Sequence, residues 1–402
     1  MQDSRSFTQN EIENAKQYKY SGTDDSILAK LFLRTFWNWL IEFFPMTIAA
    51  NTITFIGFMF EFISFAISYF LSDSFQEEIP SWAIFLNGLC LFIYQTLDNL
   101  DGRQARRTGT SSPLGQFFDH GCDALTGVFI MSQVIMTINL GNCLSSFLCI
   151  FVMGIGFALT SWEEYVTHSF HLGPINAPDE GLFLLSIFHV FVSIFRGSMS
   201  FFRSPFVQIL YLIGALSSIV PIIVNVVRQS IYDNEKRNRA LISIAPLLIS
   251  IVLSIAMVFR YPDSCENTFV LLFCGFLVQY QSQLMIVSYL VKRPPLRLFD
   301  PTLYPAWIFL AAGLLFPRVL LDSWYLWGFL TICEIGVIIY FDIGVIQGLS
   351  EGLNIPVFSV PLKNQEDEQD NRLNIEVEED KLDGNGEFNT PAEDFKEIDQ
   401  NE

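Results

Sequence analysis

The sequence predicts an all-α integral membrane protein of about ten transmembrane helices, preceded by an amphipathic helix at the membrane interface. Three observations carry that prediction. Hydrophobic residues make up 51% of the 402-residue chain and charged residues only 16%, far below the roughly 25% charged of a soluble domain. The mean hydropathy is +0.38. Ten apolar runs, most near the roughly 20 residues a span requires, lie at 52–71, 82–99, 119–138, 143–161, 181–195, 205–227, 240–259, 268–290, 303–321 and 324–346.

Taken in order, residues 1–26 read as a polar arm without the apolar core of a signal peptide, so the first span is expected to serve as the insertion signal. Residues 27–44 set Leu28, Leu31, Phe32, Phe36, Trp39, Leu40 and Phe43 against Lys30, Arg34, Asn38 and Glu42. That pattern predicts a helix lying on the membrane, with Trp37 and Trp39 at headgroup depth. Among the spans, the fifth is short and the eighth carries Gln279, Gln281 and Gln283, which makes these two the least regular. Glu61 falls mid-span, where an acid is costly, and Arg318 sits late enough in the ninth to snorkel. Residues 363–402 hold 15 acidic and 4 basic residues, the composition of disorder. The expected organisation is an arm and interfacial helix at 1–44, a catalytic membrane domain at 45–227, further spans at 228–350 and the acidic tail at 363–402.

The net charge of −19 says little about partners, because the tail alone supplies most of it; no nucleic-acid partner is expected. Seven cysteines lie mostly in apolar runs without CxxC spacing, so neither a disulfide framework nor a zinc site is indicated. His168, His171 and His189 have no metal-ligand company and read as structural. Short loops divide the basic residues unequally. Arg103, Arg106, Arg107, Arg228, Lys236, Arg237, Arg239, Lys292, Arg293 and Arg297 fall on one side, against Arg196, Arg203 and Arg260 on the other. The excess marks the cytosolic side, and an even number of spans puts both termini there with the 98–123 stretch.

That stretch, DNLDGRQARRTGTSSPLGQFFDHGCD, holds four aspartates in two pairs, Asp98 with Asp101 and Asp119 with Asp123. Residues three or four apart share a helix face, so each pair aims two carboxylates at one point. Four acids beside apolar segments would cost on the order of 10 kcal/mol uncompensated. Oxygen ligands of this kind suit hard divalent cations, and two such ions can hold the exchanging oxygens of a phosphoryl transfer. Gly102 and Gly115 admit a close neighbour, and Arg106 is placed to meet phosphate oxygens. His120 has the imidazole pKa, near 6.5, that suits a general base; a role in orienting carboxylates is its alternative.

The order Asp98-x2-Asp101-Gly102-x2-Ala105-Arg106-x8-Gly115-x3-Asp119-x3-Asp123 resembles the signature of the CDP-alcohol phosphotransferases at every defined position. ARRTGTSSPLGQFFDHGCD, YKYSGTD at 18–24, FWNWL at 36–40, NTITFIG at 51–57, LFIYQTLD at 91–98 and NAPDEGL at 176–182 are similar to the choline/ethanolamine phosphotransferase branch. Ala50, where proline is usual, and Arg103, where lysine is common, depart from the pattern without touching the acids. The resemblance implies transfer of phosphoethanolamine or phosphocholine from CDP-ethanolamine or CDP-choline to the hydroxyl of 1,2-diacylglycerol, releasing CMP. It implies Mg2+ or Mn2+, two ions, on Asp98, Asp101, Asp119 and Asp123. Gly102, Ala105 and Gly115 would line the nucleotide, and Arg106 would contact phosphate. It also supports His120 as the base and favours a homodimer in the endoplasmic reticulum or Golgi membrane. Asn51 is expected either to cap the first span or to contact nucleotide. Trp162, Glu163, Tyr165 and Glu180 are the head-group candidates, with interfacial anchoring or site support as their alternatives. An inositol- or glycerophosphate-using synthase of the same superfamily is the alternative enzyme. An ion transporter using membrane carboxylates is the alternative of another class.

Overall fold

The computed structural model describes residues 5–18, 22–173, 176–315 and 323–361. Lys19, Tyr20 and Ser21 of the YKYSGTD motif, Arg318 and the acidic tail lie outside the described residues, as does the side chain of His171. Thirteen α-helices make up the described structure: α1 (Gln9–Lys16), α2 (Arg34–Ile41), α3 (Ala50–Leu71), α4 (Ser81–Thr108), α5 (Pro113–Thr137), α6 (Leu144–Thr167), α7 (Leu182–Ile194), α8 (Met199–Phe202), α9 (Pro205–Ser230), α10 (Asn234–Arg260), α11 (Thr268–Leu290), α12 (Tyr304–Leu315) and α13 (Trp324–Leu353). Two three-residue strands, β1 (Gly22–Asp24) and β2 (Phe170–Leu172), pair in parallel and fasten the N-terminal arm to the end of α6.

Nine of the ten expected spans coincide with a helix or most of one, and the ninth, 303–321, does so as far as Leu315, where the described residues stop. Among the described residues, eight helical segments are long and apolar enough to cross a membrane. The two that fall short are α4 and α5, where Asn87, Gln95 and Asp98, or His120, Asp123 and Gln133, interrupt the apolar run. The short fifth span is completed by a π-helical turn, Ala177–Gly181, ahead of α7. The glutamines of the eighth are explained by position: α11 is buried at every residue but Phe269 and Tyr289, near its two ends, against α5, α6 and α13. A helix at the centre of the bundle meets protein on every side and can carry polar groups that find partners there. Gln281 donates to Ser250 Oγ at 2.8 Å, and Gln283 to the Gly121 carbonyl and to Asp342 Oδ2, both at 3.2 Å. Glu61 is fully buried in α3, and Gln133 Nε2 reaches its backbone carbonyl at 3.5 Å.

Two expectations at the N-terminus change. The polar arm contains a helix, α1, closed by a capping box in which Thr8 and Glu11 satisfy each other's backbone N–H groups. The following amphipathic segment is not a uniform surface helix. A π turn at Ala29–Leu33 precedes α2, and the strict four-residue stripe Ala29, Leu33, Trp37, Ile41 packs against Ile53 and Leu100. Trp37 is therefore 1% exposed, packed inside the protein instead of facing lipid headgroups, and Arg103 lies 5.2 Å above its ring. Leu31, Trp39 and Phe43 do remain exposed, as an interfacial face requires. This stripe of alanine and larger residues is the one the protein interior fills.

Small residues set the closest crossings. In α13, Gly344, Gly348 and Gly352 form a stripe occupied by Arg5, Phe7 and Ile12 of the arm. Where α4 crosses α7, a Cβ on Gly88 would stand 2.8 Å from the Ser186 carbonyl and 3.0 Å from His189 Cβ. Ser186 Oγ donates to the Gly88 carbonyl at 2.9 Å across the same contact. Gly88→Ala should thus lower stability by about 1–3 kcal/mol, whereas Gly156→Ala, with open space around it, should be neutral or stabilising. Thermal unfolding of the two purified variants in one detergent checks the contrast; equal Tm values would refute it.

Candidate active site

The site is built where α3, α4 and α5 converge. Helix α4 does not stop at the membrane edge but continues through the arginines to Thr108, so the residues between the two aspartate pairs are mostly helix, with only 109–112 as loop. Gly109, at φ 62°, turns the chain as the left-handed C-cap of α4. Ser112 then opens α5, accepting from the Gly115 N–H at 3.1 Å, with Pro113 in the first turn. This tight connection holds the two helices antiparallel with their aspartates facing.

Ligand oxygens of Asp98, Asp119 and Asp123 all lie within 4.8 Å of one another. At that spacing each pair of charges repels by about 3.5 kcal/mol for an effective dielectric of about 20. Asp98 Oδ1 and Asp119 Oδ1 are buried without a hydrogen-bond partner among the described residues. Buried, orphaned carboxylate oxygens converging on one point fit a divalent cation with oxygen ligands. Asp101 stands slightly apart: its Oδ2 accepts from the Thr54 hydroxyl of α3. Asp123 accepts from the Tyr94 hydroxyl. His120 is paired on α5 with Gln116, whose Nε2 lies 2.8 Å from the imidazole Nε2, and it stands 4.0 Å from Asp119 Oδ2.

The glycine positions gather the expected substrate residues. A Cβ on Gly115 would meet Asn51 Oδ1 at 3.6 Å, and one on Gly102 would meet the Arg106 guanidinium at 3.5 Å. Asn51 does not cap α3, whose N-cap is Ala49; its Nδ2 donates to the Val357 carbonyl at 2.9 Å. Ala105 lies partly buried one turn before Gly109 on the same helix. Of the three neighbouring arginines, Arg103 is tied to Asn38 and Arg107 to the Ile41 carbonyl. Arg106 makes no ion pair or hydrogen bond among the described residues.

The head-group candidates are dispersed. Trp162 Nε1 donates to the Ala240 carbonyl and to Ser243 Oγ, Glu163 accepts from Asn225, and the Tyr165 hydroxyl donates to the Arg293 carbonyl. None of those hydrogen bonds reaches the aspartates. Glu180 accepts from Ser26 Oγ at 2.7 Å, Leu28 N at 3.0 Å and Asn176 N at 2.9 Å. The adjoining Pro178 and Asp179 carbonyls accept from Gln95, one turn before Asp98–Asn99 on α4. Thr54, Tyr94 and Asp342 are site neighbours that the sequence reading did not single out, and Gln283, read there only as an irregularity of the eighth span, is another. Tyr94, four residues before Asp98, and Asp342, an acid inside a span, carried readable signals; the partner of Thr54 is distant in sequence and left none.

A bundle of helices able to span a membrane, with a half-buried aspartate cluster at one end, defines an integral membrane protein whose acids could hold a cation. The CDP-alcohol phosphatidyltransferase profile matches residues 47–220, which contain that cluster. Choline/ethanolaminephosphotransferase 1 of Arabidopsis thaliana is 43% identical over 178 residues, 44% of this chain and 45% of the relative. The chain thus matches about half the length of that relative. Over nearly full length, 88% of this chain and 97% of the relative, a CDP-alcohol phosphatidyltransferase class-I family protein of Schizosaccharomyces pombe is 30% identical. Cholinephosphotransferase 1 of Rattus norvegicus is 28% identical over 87% of this chain and 90% of its own. The chain belongs to the CDP-alcohol phosphatidyltransferase family.

Because the Thr54 hydroxyl orients Asp101, Thr54→Val should weaken divalent-ion affinity by about 10–100-fold, the usual effect of losing an outer hydrogen bond to a ligand. Titration of Mn2+ by electron paramagnetic resonance, compared with the parent protein, measures this. Unchanged affinity would mean that Asp101 takes no part in holding the ion.

Proposed function

We propose that the protein transfers phosphoethanolamine or phosphocholine from the CDP-alcohol to the free hydroxyl of 1,2-diacylglycerol, giving phosphatidylethanolamine or phosphatidylcholine and CMP. The observation that carries the reading is the convergence of Asp98, Asp119 and Asp123 with orphaned buried oxygens, beside an unpaired Arg106. The names of the Arabidopsis and rat relatives support the donor and the head groups. The setting we assign is the endoplasmic reticulum membrane, with the site and both termini on the cytosolic face and the protein as a homodimer.

In this reading Asp98, Asp101, Asp119 and Asp123 hold two divalent ions, Mg2+ or Mn2+, which when bound neutralise the diphosphate. Asn51, Gly102, Ala105 and Gly115 line the nucleotide, the glycines leaving room for it. Arg106 offers its guanidinium fork to phosphate oxygens. His120, steadied by Gln116, takes the proton of the diacylglycerol hydroxyl as its oxygen bonds to the β-phosphorus. The bond from that phosphorus to the oxygen bridging to the α-phosphate breaks, and CMP leaves with the electron pair. Catalysis of this kind rests on positioning and charge neutralisation. Trp162, Glu163 and Tyr165 support α6, and Glu180, already satisfied by three donors, supports the site by holding the arm against α4.

Purified protein given Mg2+, diacylglycerol and labelled CDP-ethanolamine or CDP-choline should release CMP. Asp119→Asn should abolish that release. His120→Ala should lower turnover by about 10^2–10^4-fold while donor affinity stays close to that of the parent. Absence of CMP release with both donors would sink the proposal, and full turnover in His120→Ala would remove the base.

A further inference from the structure

Away from the aspartates, but at the same end of the bundle, a cavity of about 900 Å³ opens between α1, the end of α6, the start of α10 and the loop after α11. Its walls are fixed by specific contacts. Asn14 of α1 donates to the Val291 carbonyl at 3.2 Å, and Glu11 pairs with the buried Arg293 at 2.7 Å. The floor is aromatic: the His168 ring stacks on Tyr289 with centroids 5.9 Å apart, and Tyr289 meets Tyr18 edge-on at 6.0 Å.

The charge on these walls is unbalanced. Arg239, Lys292 and Arg293 line the cavity against one carboxylate, Glu235. Arg293 is compensated from behind by Glu11. Arg239 pairs with Glu235 only at 3.3 Å, and the Glu235 side chain is 85% exposed, a pairing worth little in water. The Lys292 ammonium has no ion pair or hydrogen bond among the described residues. Arg239 Nη1 instead donates to His168 Nε2 at 2.6 Å, an arrangement that requires a neutral imidazole. Two under-compensated cations, one a planar fork, thus face a space far larger than a carboxylate side chain needs. Basic pockets at the ends of membrane helices suit phosphate-bearing groups.

We propose that this cavity is a second ligand site, separate from the aspartate cluster, which binds a phosphate-bearing anion through Arg239 and Lys292. The phosphate arrives either on a lipid headgroup or free in solution, and in both cases it bridges α10 to the loop after α11 beneath α1. Among the described residues, the groups facing His168 are Lys236, Glu235 and Arg239 from α10, Tyr289, Lys292 and Arg293 from α11 and its loop, and Tyr18 just after α1. Partial burial, then the positive charges of Arg239, Lys236 and Lys292, hold the His168 pKa below the ordinary imidazole value. An anion between those cations raises it again, so the bound state holds more proton than the free state. Protonation of His168 therefore favours the bound state as pH falls through the imidazole range, against the loss of charge on the phosphate itself.

The test uses full-length protein with two probes: dioleoylphosphatidate, counted by native mass spectrometry against phosphatidylethanolamine, and inorganic phosphate, titrated calorimetrically. Phosphatidate is expected to be retained preferentially, and Arg239→Gln with Lys292→Gln to weaken it by about 10-fold or more for the pair. Binding of phosphatidate alone assigns the site to a lipid headgroup; binding of inorganic phosphate as well assigns it to phosphate itself. His168→Gln keeps an acceptor for Arg239 and should bind like the parent at high pH, while its affinity falls away more steeply than the parent's as the solution is acidified. If the double variant fails to fold, the exposed Lys292→Gln alone serves. Failure of both probes to bind, or binding unchanged in Lys292→Gln and in the double variant, overturns the proposal.

Discussion

Carboxylates of like charge held together at the edge of a membrane are the constraint on which this structure depends. Without a cation the three closest repel one another at a half-buried site where water screens them only in part. The fold supplies their geometry from both helices of one antiparallel pair and steadies them from the third, α3, through the Thr54 hydroxyl. Tyr94 does the same from within α4. The short 109–112 connection leaves little freedom for the two aspartate pairs to drift apart. Repulsion is thus resisted by covalent connection, helix packing and hydrogen bonds until a cation arrives.

The rest of the bundle follows from the need to keep that corner rigid. Helix α11 is the post around which α5, α6 and α13 pack, and Gln283 on it grips the Gly121 carbonyl beside His120. On the other side, the N-terminal arm reaches the site region by two routes. Glu180 gathers Ser26 and Leu28 against the turn that Gln95 holds to α4, and Arg103 joins α4 to Asn38 of α2. The arm is therefore part of the scaffold although its sequence is polar.

What the sequence makes legible here is local. The i, i+3 and i, i+4 spacing of the aspartates needs only a helix to become a cluster, and the apolar runs need only a membrane to become spans. Contacts between distant segments left weaker marks. Trp37 reads as an interfacial tryptophan because its neighbours are aromatic, yet the stripe Ala29–Leu33–Trp37–Ile41 belongs to the interior. Asn51 has the chemistry of a cap, but the helix begins one residue earlier, with Ala49 as its N-cap, and the Asn51 amide meets Val357. Gln279, Gln281 and Gln283 weaken a span by hydropathy, and only the packing of α11 shows why they are tolerated. Trp162, Glu163 and Tyr165 sit at the right end of a helix, and their hydrogen bonds lead elsewhere.

The glycine stripe of α13 has a consequence for how the molecule is made. Arg5, Phe7 and Ile12 seat themselves on Gly344, Gly348 and Gly352, so a segment synthesised before the helices of the bundle docks on α13, which is synthesised after the other twelve described helices. Domains generally form from the N-terminus onward during synthesis, but this piece cannot. It must wait, undocked, while every intervening helix enters the bilayer. Docking of α1 then acts as a clasp, closing only on a chain in which α13 is in place.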